Sequence, residues 1–361
     1  MDRRIDNLHL LRAIFAMGIV LDHINLDDLV GYGKKIFYMG TTGVAFFFVL
    51  SGFLMIYTYK PMKCSEYLKK KFLRIFPTMW VFTLGVVLLD CVFRRYIGWN
   101  FVNWADINSK MVIKSLLCVP ILEHSNEIII PPAWTLSFEI WFYMIGIVLV
   151  LVGEKFYFIV LSVWGALIMT GSLAGSSLFA LNPLFLELIM GVAIAYIVKK
   201  NVIRNKRFPL IFGWGGVILF ITALCSVTEI VHVVYISSLP HWIKYGVPAA
   251  LIVLGAAGCK SLLKPEGMLY KVLSVVADHS YSIYLTHYIT IRLMQLVFRM
   301  FAHNNIVLGQ GIRFFTIFIV CIICGVIAGK MIEKNCSRLF ARLLFTRNGG
   351  KAKKYRTSEE K

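Results

Sequence analysis

The stretch Leu8–Asn25, LHLLRAIFAMGIVLDHIN, decides how the chain is read: it has the length and apolarity of a membrane-spanning helix, yet it carries Arg12, Asp22 and His23. On a helix the step from Arg12 to His23 returns within about 20° of the starting face and climbs roughly 16 Å, so both side chains share a side. Arginine at a helix centre costs about 2.5–3.5 kcal/mol on insertion, so such residues usually face a bundle interior, a water-filled cavity or a ligand. The plainer reading is that Arg12 snorkels to the inner interface and His23 sits among the outer headgroups.

Composition extends the reading outward. The chain has 361 residues, of which 58% are hydrophobic and 16% charged, with a mean hydropathy of +0.74; a soluble domain of this length has no use for so much apolar surface. The expected class is all-α, a polytopic transmembrane helix bundle. Runs such as Phe82–Phe93, FTLGVVLLDCVF, are apolar without alternation, which argues against a transmembrane barrel. The first apolar run is a full span without a small-residue cleavage site, so it is expected to stay as the first helix. The formal charge of +19 would suggest a nucleic-acid partner in a soluble protein. Its basic residues instead fall in alternate links, as the positive-inside rule requires, which assigns the charge to topology and lipid headgroups and leaves no nucleic-acid partner. The eight cysteines show no framework spacing, and Cys321 and Cys324 form a CxxC inside an apolar helix without a second pair, so no metal site is expected.

Taken in order, about ten spans are expected, with both termini cytoplasmic. Ile36–Tyr57 follows the first helix, its GTTG and SGF residues suited to close packing; Ser51 has no adjacent base and is read as packing. The basic link Lys60–Arg74, KPMKCSEYLKKKFLR, lies inside, and Pro77 lets the third helix start afresh at about Thr78–Phe93. Arg94–Pro132, with Trp99, Trp104, Glu123, His124 and Glu127, is a long outer link. Helices then follow at Ala133–Val152, which carries Glu139, and at about Lys155–Ser172, Leu178–Val198, Phe208–Val227, Trp242–Cys259, Ala277–Phe298 and Gly311–Met331. Residues 1–335 are read as an integral membrane domain and 336–361 as a basic cytoplasmic tail.

Polar residues inside these spans make the candidate site: Arg12, His23, Glu139 and His287. Glu139 and His23 both fall in the outer third of their helices and are expected to meet, since a carboxylate on one imidazole nitrogen leaves the other as a base able to deprotonate a hydroxyl. A buried Glu–His pair that only stabilises, or that lines a proton path, fits equally. On the inner side Lys69, Lys70, Lys71 and Arg74 form a cationic cluster suited to a phosphorylated ligand, or to lipid headgroups.

These residues also carry a resemblance. LRAIFAMGIVLDH, FFFVLSGFL, KKFLRIFP, PAWTLSFEIWFY and SYSIYLTHY occur in the order expected of the membrane acyltransferase 3 family, bacterial inner-membrane proteins that transfer acyl groups, often acetyl, to cell-surface glycans. The resemblance covers about residues 5–335. It implies that Arg12 and His23 form the central acyl-transfer pair, that Lys71 and Arg74 contact the donor, that Glu139 stands beside the site and that His287 joins it, with Tyr284 in the same segment. The basic motif departs from the family pattern in placing Lys71 where a second arginine is common, and Asp22, which points elsewhere on the helix than His23, is left out of the catalytic set.

The resulting expectation is an integral membrane O-acyltransferase of the bacterial inner membrane. It would move an acyl group, acetyl in the first instance, from cytosolic acyl-CoA to a hydroxyl of an exported polysaccharide or lipid-linked glycan, with no tightly bound cofactor. His23, oriented by Glu139, would take the hydroxyl proton or carry the acyl group. Arg12, Lys71 and Arg74 would bind the donor, with Trp134, Ser137, Tyr284 and His287 lining the acceptor side. A transporter or flippase for a small or lipid-linked anion, with Arg12, Glu139 and His287 as coupling sites, is the rival from another class, and a non-catalytic membrane scaffold is the third.

Overall fold

The computed structural model describes residues 5–24, 39–98, 107–119, 128–203, 207–227, 239–303 and 309–345. All elements among these residues are helical: α1 (Asp6–His23), α2 (Met39–Tyr57), α3 (Cys64–Ile97), α4 (Ser109–Leu117), α5 (Trp134–Leu173), α6 (Phe185–Lys199), α7 (Arg207–Val227), α8 (Val247–Gly258), α9 (Met268–Asp278), α10 (Ser280–His303), α11 (Gln310–Ala328) and α12 (Lys334–Phe345). Five segments, Cys64–Ile97, Pro131–Glu154, Phe156–Leu173, Arg207–Leu224 and Gly311–Leu343, are long and apolar enough to cross a membrane, and Thr42–Tyr57 and Trp242–Gly258 are shorter apolar helices. Trp99, Trp104, Glu123, His124 and Glu127 of the Arg94–Pro132 link lie outside the described residues; within that link α4 is capped by Asn108, whose side chain accepts from the Met111 N–H at 2.8 Å.

Two apolar clusters hold the bundle, and α1 is wedged between them. Phe15 stacks on Phe46 of α2, with ring centroids 4.0 Å apart, and so joins the larger cluster of Phe46, Phe53, Phe138 and Phe185. Ala13, Val20 and Ile24 turn the other way, toward Ile283 and Ile291 of α10 and Ile317 of α11. The N-terminal end of α1 is pinned by Asn7, whose amide donates to the carbonyls of Ala256, Cys259 and Lys260 while its oxygen accepts from the Leu262 N–H. One side chain thereby serves carbonyls that the end of α8 leaves without helical partners.

Close packing of α2 on α6 depends on two glycines. A Cβ at Gly52 would collide with the Leu188 carbonyl, and one at Gly191 with the Val49 carbonyl, so backbone meets backbone at that seam. Small residues at such seams replace the hydrophobic drive that lipid removes.

Three boundaries differ from the expected ones. The third helix does not begin after Pro77: α3 runs unbroken through it, so the basic link from Cys64 onward is helical. Pro77 has no N–H for the Leu73 carbonyl, and Ser337 of α12 supplies the missing donor at 3.1 Å. The expected helices Ala133–Val152 and Lys155–Ser172 both form, as the two parts of α5 separated at Gly153, whose φ of +80° and ψ of 171° are not helical. The segment Ala277–Phe298 is divided at His279 into α9 and α10, and helix continues into the expected tail as far as Phe345, through position 335.

Candidate active site

The helix that opened the sequence reading meets α10 at two levels. Arg12 Nη2 donates to Ser280 Oγ at 3.1 Å in the first turn of α10, and two turns further on the His23 and His287 rings approach edge to face at 5.0 Å. The two helices run in the same direction, and the face shared by Arg12 and His23 is the one turned to α10. His23 Nδ1 lies 2.8 Å from the Ile19 carbonyl. A carbonyl only accepts, so Nδ1 carries the proton and Nε2 of the neutral ring keeps its lone pair. His287 is fully buried, its Nδ1 bonded likewise to the Ile283 carbonyl at 3.1 Å, and its Nε2 has no hydrogen-bond partner.

His23 opens on a cavity of about 270 Å³, whose walls include Asp22, Pro132, Trp134, His241 and Tyr284. Pro132 and Trp134 arrive there because the Pro131–Ala133 turn leads directly into α5. Tyr284 is held by Thr135 Oγ1 at 2.7 Å and donates to the Pro132 carbonyl. Asp22 was set aside on helical position, yet it lies in the same wall, where α1 ends and the N-terminal part of α2 packs: a Cβ on Gly40 would meet its carboxylate.

A second cluster forms below the cavity. Glu139 Oε1 accepts from Ser51 Oγ at 3.3 Å and from the Tyr143 hydroxyl, and stands 3.4 Å from Arg74 Nη2. Lys71 Nζ sits 4.1 Å from the Tyr143 ring centroid and 5.4 Å from that of Tyr67, a cation over two aromatic faces. The expected Glu139–His23 pair does not form: Glu139 is spent on Arg74, Ser51 and Tyr143, and His23 Nδ1 on Ile19. Ser137, expected on the acceptor side, instead donates to the Cys118 carbonyl at 2.6 Å, tying α5 to the end of α4.

Two helices join the clusters. On α5, Thr135 touches Tyr284 at the cavity and Glu139 touches Arg74, four residues and about 6 Å apart on one face. On α10, Tyr281 donates to the Ile75 carbonyl at 2.9 Å, beside Arg74, and Tyr284 lines the cavity one turn on. The cationic cluster therefore lies about one helical turn from the cavity wall.

His241 was missed in the sequence, although it lines the cavity and its Nδ1 is 2.7 Å from Glu187 Oε1. Glu187 lies 54 positions earlier, and no local pattern connects the two.

Comparison with known proteins gives the family of the chain. Residues 5–330 match the family described as an acyltransferase domain. The chain is 23% identical over 360 residues to acyltransferase MdmB of Streptomyces mycarofaciens, covering 91% of this chain and 89% of that one. It is 27% identical over 318 residues to the exopolysaccharide production protein ExoZ of Rhizobium meliloti, covering 84% and 91%. With O-acetyltransferase OatA of Staphylococcus aureus the identity is 23% over 79% of this chain, which spans half of that longer protein. No solved structure matches.

Proposed function

This chain belongs to the acyltransferase 3 family and is an acyl-transferring enzyme, and on that premise we propose that it is an inner-membrane O-acyltransferase carrying acetyl, or another acyl group, from cytosolic acyl-CoA to a hydroxyl of an exported polysaccharide or lipid-linked glycan. The observation that carries this reading is the single helical turn between Lys71 and Arg74 and the cavity beside His23. Donor phosphates meet Arg74, whose planar fork suits them, and Lys71, which supplies a point charge. Arg12 adds a third cation below His23. The thioester then extends along Glu139 and Tyr284 to His23 Nε2, which takes the hydroxyl proton or receives the acyl group. Glu139 acts by holding Arg74, and the Ile19 carbonyl sets the His23 tautomer. Trp134, Tyr284 and His287 flank the acceptor, and Ser137 holds the link that carries Trp134. The donor is a substrate, and no bound cofactor is required. Ten spans put both termini, including the basic residues after 335, in the cytoplasm beside the donor.

The test is to supply labelled acetyl-CoA to inside-out vesicles and follow label into glycan. Wild type transfers label, and His23→Ala loses at least ~100-fold, the usual scale for removing an acid–base group. Unchanged transfer by His23→Ala overturns the assignment, and glycan movement without acylation turns the reading to a transporter.

A further inference from the structure

The cavity has a second imidazole wall that the route from Arg74 to His23 does not use. His241 immediately precedes the π-helical turn Trp242–Gly246 that leads into α8, and its side chain is 28% exposed. Its Nδ1 donates to Glu187 Oε1 at 2.7 Å, while Glu187, in the first turn of α6, is completely buried. The other carboxylate oxygen, Oε2, has no hydrogen-bond partner. A carboxylate taken wholly out of water costs several kcal/mol unless it is compensated, and here the compensation runs through one partly exposed ring that lines a cavity. Room for it is built in: a Cβ on Gly246 would lie 2.8 Å from Glu187 Cγ, so the π turn passes over the carboxylate only because that residue is glycine. Single π turns within helical segments are frequent at functional sites.

We propose that His241, positioned by Glu187, is the base that takes the proton of the acceptor hydroxyl, on the wall of the cavity that also presents His23. The inference rests on the acyl-transfer reading above and divides its labour: His23 faces the acyl carbon and His241 the incoming oxygen. Nδ1–H held by a carboxylate leaves Nε2 unprotonated and stabilises the imidazolium that forms when it accepts a proton. In the step the hydroxyl O–H bond breaks, the proton passes to His241 Nε2 and the oxygen electron pair forms the bond to the acyl carbon. The bond from that carbon to its leaving atom, the CoA sulfur or a His23 nitrogen acylated in a first transfer, breaks with its pair on that atom. When the CoA sulfur leaves directly, the proton then passes from His241 to the thiolate. When the acyl group comes from His23 Nε2, CoA has already left as the thiolate in the first transfer and His23 departs as the neutral Nδ1–H imidazole. The proton then passes from His241 to water, balancing the charge of that thiolate, so that the dyad is restored. Glu187 touches no reacting atom and acts as a positioning residue.

The experiment uses the vesicle assay with labelled acetyl-CoA and the membrane glycan. His241→Asn keeps a donor toward Glu187 at the place of Nδ1 and removes the base; it is expected to lower transfer by ~100-fold or more while the detergent-solubilised protein keeps its unfolding temperature. Glu187→Gln fills the same volume without the charge and is expected to lower transfer by at least ~10-fold. His241→Gly is expected to regain transfer when free imidazole is added, which a merely structural histidine would not do. Transfer by His241→Asn within about threefold of wild type, or no regain in His241→Gly with imidazole, overturns the proposal. If wild type itself transfers no label, the acyl-transfer reading fails first; if wild type transfers and His23→Ala does not, while His241→Asn stays active, only the role of His241 is lost.

Discussion

At the scale of single residues, what matters is which partner each buried polar group takes. Helical position alone put Arg12 and His23 on one face, and both meet α10. Depth along a helix was legible to within a turn, which was not enough to pair Glu139 correctly: it sits one turn deeper than the cavity, beside Arg74. Asp22 erred in the other direction, because the end of α1 lets neighbouring positions line one wall. Arg74 is half exposed and anchored by Glu139, as suits a group that contacts a soluble donor. Arg74→Ala is therefore expected to raise KM for acetyl-CoA about tenfold or more, the scale of a charged hydrogen bond of ~1.5–3 kcal/mol, with a smaller change in kcat. Initial rates against acetyl-CoA concentration check this, and a fall in kcat at unchanged KM would remove Arg74 from the donor site.

At the scale of elements, a proline that reads as a boundary stands inside a helix because a distant helix completes it. Ser337 donates to the Leu73 carbonyl that Pro77 leaves open. Ser337→Ala is expected to cost about 1 kcal/mol in wild type and less than half of that in a Pro77→Ala background, where the new N–H serves Leu73. Detergent-phase unfolding of the four proteins measures it, and equal costs in both backgrounds would falsify the compensation. The α2–α6 seam makes a sharper contrast. Gly191→Val drives a side chain into the Val49 carbonyl and is expected to abolish recovery of folded protein by size exclusion, whereas Gly215→Ala, which has open space at its Cβ, is expected to leave recovery unchanged. The GTTG and SGF residues announced such packing in advance; α6 as the partner did not show in any local pattern.

For the whole molecule, the prediction concerns orientation. If the basic cluster is to meet a cytosolic donor, α1 and α10 both rise from the inner side and the chain ends inside. A green fluorescent protein fused after Lys361 is expected to fluoresce, and a fusion within the Arg94–Pro132 link to stay dark; the reverse pattern would detach the cationic cluster from acyl-CoA. Helical class, apolar spans, the shared face of Arg12 and His23, and the order of motifs were all determined by the sequence, because each depends on composition or on spacing within a single helix. Only the tertiary structure decided that Glu139 serves Arg74, that Ser337 completes α3, and that His241, held by Glu187, joins the lining of the cavity. Those pairs join residues from 54 to 264 positions apart. Their meeting is set by the axial register of one helix against another, which arises from packing across the seams and leaves no period in either helix alone.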